Sequence, residues 1–353
     1  INALQSPPEV SVRLNPRKRM ATFRFNGEPV RWTDAGLYLP ERPLFTLIPQ
    51  MHGGAFYVQD ASSMIYKHIA TYLRDVYYIG RRQAAVLDMC AAPGGKTTAI
   101  IDALSDDTLV VANEFVAKRA SVLAENIAKW GHPHCIVTNS DTSAFADAPR
   151  FDIVAVDAPC SGEGMMRKEE EAVAQWSPAL VEDCARLQRK ILDDACAALH
   201  PGGFLIYSTC TFNTRENERI ADRMIADFGA EPVAIPLPDD SGIVVDGQGR
   251  MRFLPTHLRG EGLFMAILRK PGEWTPALVR HAASTPRREK KKSRNRGSAA
   301  ELQPGGRPSS KAPDLASLCA PWLRGDYDFL LRGEALYGRP AAFSHIYDLL
   351  DSH

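Results

Sequence analysis

The chain has 353 residues, 45% hydrophobic and 24% charged, with 42 basic and 42 acidic side chains. That length suits one large domain with extensions, or two to three modules, and the composition supports a sizeable core. A formal net charge of zero excludes a uniformly basic nucleic-acid binder but leaves room for a local basic patch. No apolar run approaches the roughly 18–20 residues of a membrane span, so no membrane partner is expected. The chain starts at Ile1 with a polar, Pro-rich stretch and no signal-type apolar segment; an N-terminal piece is expected to be missing. Its seven cysteines are scattered and include no Cys-x-x-Cys pair, which argues against a disulfide framework and against a structural zinc site. A reducing cytoplasm fits that pattern, and no metal is expected.

Residues 1–80 read as a leader. Val10 to Leu14 alternates like a strand and runs into Asn15-Pro16-Arg17-Lys18-Arg19, and Met64 to Leu73 has helical periodicity. From 81 to 270, short apolar runs alternate with longer periodic ones. Val86–Met89, Leu109–Asn113, His134–Val137, Phe151–Val156, Gly203–Ser208 and Leu263–Leu268 read as strands. Ile100–Leu104, Ala117–Trp130, Val181–Leu199 and Glu216–Phe228 read as helices. This order predicts an α/β fold, a parallel sheet with helices on both faces. Residues 271–313, rich in Pro, Ser, Gly and basic residues, read as a linker; its 287–296 run either holds RNA loosely or is simply soluble. Residues 314–353 regain apolar content and read as part of another small module.

The first strand ends in Asp88, followed by Met89-Cys90-Ala91-Ala92-Pro93-Gly94-Gly95-Lys96-Thr97. A glycine-rich turn from strand to helix lets backbone amides approach a ligand at a helix N-terminus. The phosphate-loop pattern fails because Cys90 stands where its first glycine belongs, and the dinucleotide pattern is absent. What remains suits a ligand with an amino-acid end, such as S-adenosylmethionine. Glu114, after the second strand, can accept ribose hydroxyls, and Asp141, after the third, could meet an adenine. Asp88, Glu114 and Asp141 can also be read singly as helix caps or surface acids.

Two cysteines fall at strand ends, in Asp157-Ala158-Pro159-Cys160-Ser161-Gly162 and in Tyr207-Ser208-Thr209-Cys210-Thr211. In a doubly wound sheet both lie at the carboxyl edge beside the cofactor crevice. Two thiols and a carboxylate there suit methylation of an unreactive aromatic carbon. A thiolate adding to C6 of cytosine makes C5 nucleophilic, and a carboxylic acid at N3 and the exocyclic amine stabilises the adduct. Cys135, Cys184 and Cys196, inside strand or helix patterns, read as small buried hydrophobes, and Cys90 as a packing residue of the loop.

These motifs, together with Arg13-Leu14-Asn15-Pro16, Tyr57-Val58-Gln59-Asp60 and Glu216-Asn217-Glu218, occur in an order that resembles the bacterial Fmu/Sun-type RNA 5-methylcytosine methyltransferases, and within them the RsmF-like ribosomal RNA enzymes. The resemblance covers roughly residues 8–270. It implies a Rossmann-like class I methyltransferase sheet with a small N-terminal RNA-binding subdomain and a partial C-terminal RNA-binding module. It implies Cys210 as nucleophile, Cys160 in product release, and Asp157 and Lys96 at the target base. The expected cofactor set is Cys90, Ala91, Ala92, Pro93, Gly94, Gly95, Lys96, Glu114, Arg119, Asp141 and Asp157, holding S-adenosyl-L-methionine. The implied partner is 16S rRNA or the small ribosomal subunit, and a monomer is expected.

RNA affinity should rest on phosphate contacts from local basic residues, for which Arg13, Arg17, Lys18, Arg167 and Lys168 are the leading candidates, followed by Arg19, Arg252 and Arg259. A DNA cytosine methyltransferase would use Cys160 and leave Cys210 without a role. A small-molecule or protein methyltransferase explains neither cysteine. A non-catalytic RNA-binding factor predicts a degraded loop or a lost nucleophile, and the sequence has neither.

Overall fold

The computed structural model describes residues 6–18, 24–81, 83–147, 149–274, 327–332 and 335–350. The chain divides into two compact units, Ile1–Trp274 and Thr275–His353. Arg19 and the basic linker from residue 275 onward, including the 287–296 run, lie outside the described residues.

In the first unit, β1 (Val10–Leu14), β2 (Glu28–Pro29), β3 (Gly36–Leu39) and β4 (Phe56–Val58) pair antiparallel in the order β2-β3-β1-β4. The helix Ile65–Val76 comes next. This N-terminal part shares its core with the larger sheet of the same unit: Val30, Trp32 and Tyr38 pack in one buried cluster with Val86, Ile100 and Ile153.

The expected alternation of strands and helices forms the main sheet. Strands β5 (Ala85–Asp88), β6 (Leu109–Asn113), β7 (Cys135–Thr138), β8 (Phe151–Asp157) and β9 (Leu199–Thr209) run parallel in the order β7-β6-β5-β8-β9. Runs such as Leu109-Val110-Val111-Ala112 are buried, as strands covered on both faces must be. The sheet then continues antiparallel. After β10 (Glu231–Pro232), β11 (Val244–Val245) and β12 (Met251–Phe253), strand β13 (Leu263–Arg269) inserts against β9, with β10 and β12 paired to it and β11 beyond β12. Between β5 and β8 the strand order reverses, which opens a crevice at their carboxyl ends. Asp88 and Asp157 end those two strands.

The helix Ala117–Trp130 has its expected bounds, while the helix expected from Ile100 begins at Gly95 and runs to Ala103. Its first turn, Gly95-Lys96-Thr97-Thr98, carries no apolar period although Thr97 and Thr98 are fully buried, so periodicity detects only its second half. The helix Pro178–Ala198, capped by the Ser177 hydroxyl on the Leu180 amide at 3.1 Å, packs beside β8 and β9, and the helix Glu218–Phe228 packs against it. Cys184 and Cys196 are buried as expected, but Cys135 is only half-buried, because β7 is the last strand of the sheet on that side.

In the second unit, β14 (Tyr327–Arg332) and β15 (Ala335–Pro340) form a hairpin followed by the helix Ser344–Leu350, with Phe343 and Ile346 buried. Among the described residues, no helix is long and apolar enough to cross a membrane, and no cluster of His, Cys, Asp and Glu could hold a metal ion.

Candidate active site

The loop after β5 turns into its helix through Gly94, whose φ of 107° lies in the left-handed region that glycine adopts without strain. Asp88 beneath it is buried, and burial lifts its pKa to about 7 against the hydrogen bond that Thr97 Oγ1 donates to Oδ2 at 2.6 Å. Cys90, Ala91, Ala92, Pro93, Gly95, Lys96 and Asp157 line a cleft of about 520 Å³ together with Tyr57, Val58, Gln59, Asp60 and Ser63. Part of the lining thus comes from β4 and the segment after it.

Glu114, Arg119 and Asp141 sit outside that lining. Glu114 is buried at the end of β6, and its Oε1 accepts from the Val116 amide at 3.0 Å and faces Arg119 Nη1 at 3.5 Å. Arg119 also donates to the Ala92 carbonyl at 3.0 Å, tying the two loops together. Asp141 caps the turn Thr142–Phe145 by accepting from the Ser143 amide at 3.0 Å, and pairs with Lys190 at 2.8 Å. The Lys190 and Ser143 bonds pull its pKa down to about 2.

The parallel register sets Asp157 opposite Ser208, so the segments leaving β8 and β9 emerge side by side. This brings Cys160 Sγ to 3.0 Å from Cys210 Sγ, and the Cys210 amide donates to Cys160 Sγ at 3.3 Å. Both thiols are free. The Cys160 hydrogen bond lowers the Cys210 pKa, aided by Lys96 and opposed by burial and by Asp157; Cys160 is pushed well above the usual thiol range by the same bond and by burial. These opposite pKa directions favour thiolate on Cys210 and thiol on Cys160.

Asp157 is held at both oxygens. Lys96 Nζ pairs with Oδ2, and Ser208 Oγ donates to Oδ1 at 2.6 Å. Since the Ser208 proton goes to Asp157, the buried Tyr66 hydroxyl donates to Ser208 Oγ, at 2.8 Å. Burial works against the Lys96 charge, but the contact with Asp157 prevails and raises its pKa.

Sequence reasoning reaches Glu216 as part of a motif and as the first residue of an expected helix, which in the structure begins at Glu218. The structure makes it the tie between the two cysteine loops. Its fully buried carboxylate accepts from the Ser161 amide at 3.0 Å, the Ser161 hydroxyl, Gln188 Nε2 at 2.8 Å and Asn213 Nδ2 at 2.8 Å. Gln188 also donates to the Pro159 carbonyl at 2.9 Å. An acid beside the start of an amphipathic helix was the available signal, but it could not show that these donors converge.

Residues 80–269 match the family model described as 16S rRNA methyltransferase RsmB/F, and residues 1–61 match the N-terminal domain of 16S rRNA methyltransferase RsmF. The chain belongs to the RsmB/F family. Among curated relatives, ribosomal RNA small subunit methyltransferase F of Aliivibrio fischeri strain MJ11 is 34% identical over 297 residues, covering 79% of this chain and 62% of the relative. The protein of the same name from Salmonella agona strain SL483 is 36% identical over 288 residues, covering 76% and 59%. The chain thus spans about three-fifths of these relatives' length. Two solved Pyrococcus horikoshii structures share the fold. One is a methyltransferase homologue, with a TM-score of 0.61 and 24% identity over 76% of this chain and 88% of that one. The other is NSun6 bound to an S-adenosylmethionine analogue, with a TM-score of 0.64 and 19% identity over 77% and 93%.

In this RsmB/F chain, two of the basic residues expected to meet RNA are internal. Arg13 is fully buried: it pairs with Asp102, donates to Gln59 Oε1 at 2.7 Å and to the Gly95 carbonyl at 3.2 Å, and lies over the Trp130 ring. Arg167, with its side chain 5% exposed, pairs with the buried Glu261 at 2.9 Å. Both are corrected from phosphate contacts to structural ties, because each cation is closed off by its own carboxylate. Arg17 pairs with Asp106, and Lys18 donates to the carbonyls of Gly53 and Lys129. Arg252 pairs with Glu218, and Arg259 with Glu9 and Glu28. Lys168 remains exposed, beside Asp60 and Glu261.

Proposed function

We propose that this protein transfers a methyl group from S-adenosylmethionine to C5 of a cytosine in RNA, with 16S rRNA of the small subunit as substrate, in the cytoplasm, through a covalent bond from Cys210 to C6. The observation that carries this reading is the pair of thiols 3.0 Å apart, polarised toward a Cys210 thiolate and flanked by the Lys96–Asp157 pair.

The residues present fit the cofactor. The cleft meets a helix N-terminus at Gly95, and buried Glu114, outside the cleft lining, directly follows the neighbouring strand β6, as a ligand with an amino-acid end and a ribose requires. Cys90–Gly95 would hold the amino-acid end, with Glu114 toward the ribose and Asp141 toward the adenine. The cofactor supplies an electrophilic methyl group. The chain's own residues do the rest. Cys210 thiolate adds to C6, and the electron pair displaced from the C5–C6 double bond makes C5 nucleophilic. Asp157 and Lys96 face the base at N3 and the exocyclic amine and stabilise charge as the adduct forms. Once C5 is methylated, a solvent water takes the C5 proton, the C5–H electron pair re-forms the C5–C6 double bond, and the Cys210–C6 bond breaks with its electrons returning to the thiolate. Cys160, whose thiol already hydrogen-bonds Cys210, stabilises that departing thiolate and so assists release. The second unit, with its hairpin and helix, would add RNA contacts.

The test is incubation with S-adenosylmethionine and bacterial 16S rRNA, then nucleoside mass spectrometry and a search for denaturation-resistant protein–RNA adducts. We expect 5-methylcytidine from wild type, neither product nor adduct from Cys210→Ala, and accumulated adduct from Cys160→Ala. Methyl at another atom, or an adduct that survives Cys210→Ala and vanishes in Cys160→Ala, would overturn the assignment.

A further inference from the structure

Gln59 comes directly after β4 and is 7% exposed. Its Oε1 accepts from Arg13 Nε at 2.7 Å, and Arg13 has no acceptor atom, so the amide cannot flip without opposing two donors. Its Nε2 is buried with no hydrogen-bond partner among the described residues. A buried donor left unmade costs free energy and calls for an occupant. Nε2 also faces the first turn of the loop helix: a Cβ built on Gly95 would stand 3.3 Å from it, and both residues line the cleft. The fully buried Arg13 holds this arrangement by donating to the Gly95 carbonyl and to Gln59 together. An unpaired amide donor therefore meets the positive end of the nine-residue Gly95–Ala103 helix in one cleft.

We propose that Gln59, held by Arg13, reads the α-carboxylate of the amino-acid end of the bound cofactor or its product. The inference rests on the cleft being the S-adenosylmethionine site. A carboxylate is the acceptor that both donor sets favour. The cleft's other polar groups, Asp60, Lys96, Asp157 and Ser63, are otherwise engaged in part: Lys96 with Asp157, and Asp60 with the amides of Ser63 and Glu261.

The experiment measures binding by calorimetry, using S-adenosylhomocysteine and 5′-methylthioadenosine, which lacks the amino-acid end. Gln59→Glu keeps an oxygen for Arg13 and replaces the donor with an acceptor; Gln59→Leu removes both. Glu at this position should weaken S-adenosylhomocysteine about tenfold or more, and Leu somewhat less, while methylthioadenosine changes little. Wild type that binds S-adenosylhomocysteine as tightly as both variants overturns the role of Gln59 alone. Equal loss of both ligands overturns it too, by showing that Gln59 only shapes the cleft. Wild type that binds neither ligand instead overturns the reading of the cleft as a cofactor site.

Discussion

Cys160 Sγ stands 3.0 Å from Cys210 Sγ, and the hydrogen bond between them stabilises charge on Cys210 while holding the proton on Cys160. Two like groups in one site are thereby made unequal. Lys96, paired to Asp157 next to them, adds to the bias by lowering the Cys210 pKa.

Removing the donor should undo that inequality. In Cys160→Ala, Cys210 loses the bond that most lowers its pKa, so its thiolate fraction at neutral pH falls. Alkylation of Cys210 by iodoacetamide, read by peptide mass spectrometry, should slow by about tenfold for each unit of pKa, with the rate profile moved to higher pH. An unchanged or faster rate would show that Cys160 does not activate Cys210.

Asp88 gives a pH signature in stability. Its folded pKa is raised to about 7, so the fold favours the protonated acid. That contribution is complete below the unfolded value, about 3.9, and is lost as pH rises through about 7. Asp88→Asn cannot ionise and still offers Thr97 an acceptor. Urea unfolding should show the variant gaining on wild type between about pH 4 and 7, by an amount on the order of a few kcal/mol. Parallel stability curves for the two proteins would refute the burial argument.

Glu216 should be among the most sensitive positions outside the cleft. Glu216→Ala leaves the Ser161, Gln188 and Asn213 donors without their shared acceptor. The loss should be about 3 kcal/mol or more in chemical denaturation, and the Cys160–Cys210 contact should loosen, because Ser161 and Asn213 belong to the two loops that carry those thiols. Wild-type stability with wild-type thiol reactivity would remove Glu216 from that role.

Arg13 and Lys168 should part ways when RNA binding is measured against salt. Arg13→Met strands the fully buried Asp102 and should cost about 3–5 kcal/mol of stability while leaving the salt slope unchanged. Lys168→Ala should leave stability within about 0.5 kcal/mol and reduce the slope by about one. A reduced slope in folded Arg13→Met would restore its place among the phosphate contacts.

The α/β alternation is legible in the sequence alone, as is the placement of Asp88, Asp157, Cys160 and Cys210 at or just after strand ends. Strands buried on both faces must be written as apolar runs, and polar chemistry can begin only where those runs stop. Periodicity is silent at Gly95–Thr98, where the helix turns small and polar side chains inward, and so it misses the helix start. The roles of Arg13 and Arg167 become visible only in three dimensions. An arginine reads the same whether it meets a phosphate or a buried carboxylate, and the deciding partners, Asp102 and Glu261, lie 89 and 94 residues away along the chain. The same holds for Glu216, whose donors arrive from three segments, and for the 3.0 Å approach of Cys160 to Cys210. Burial and charge pairing depend on distances through space, which residue type and spacing along the chain do not encode.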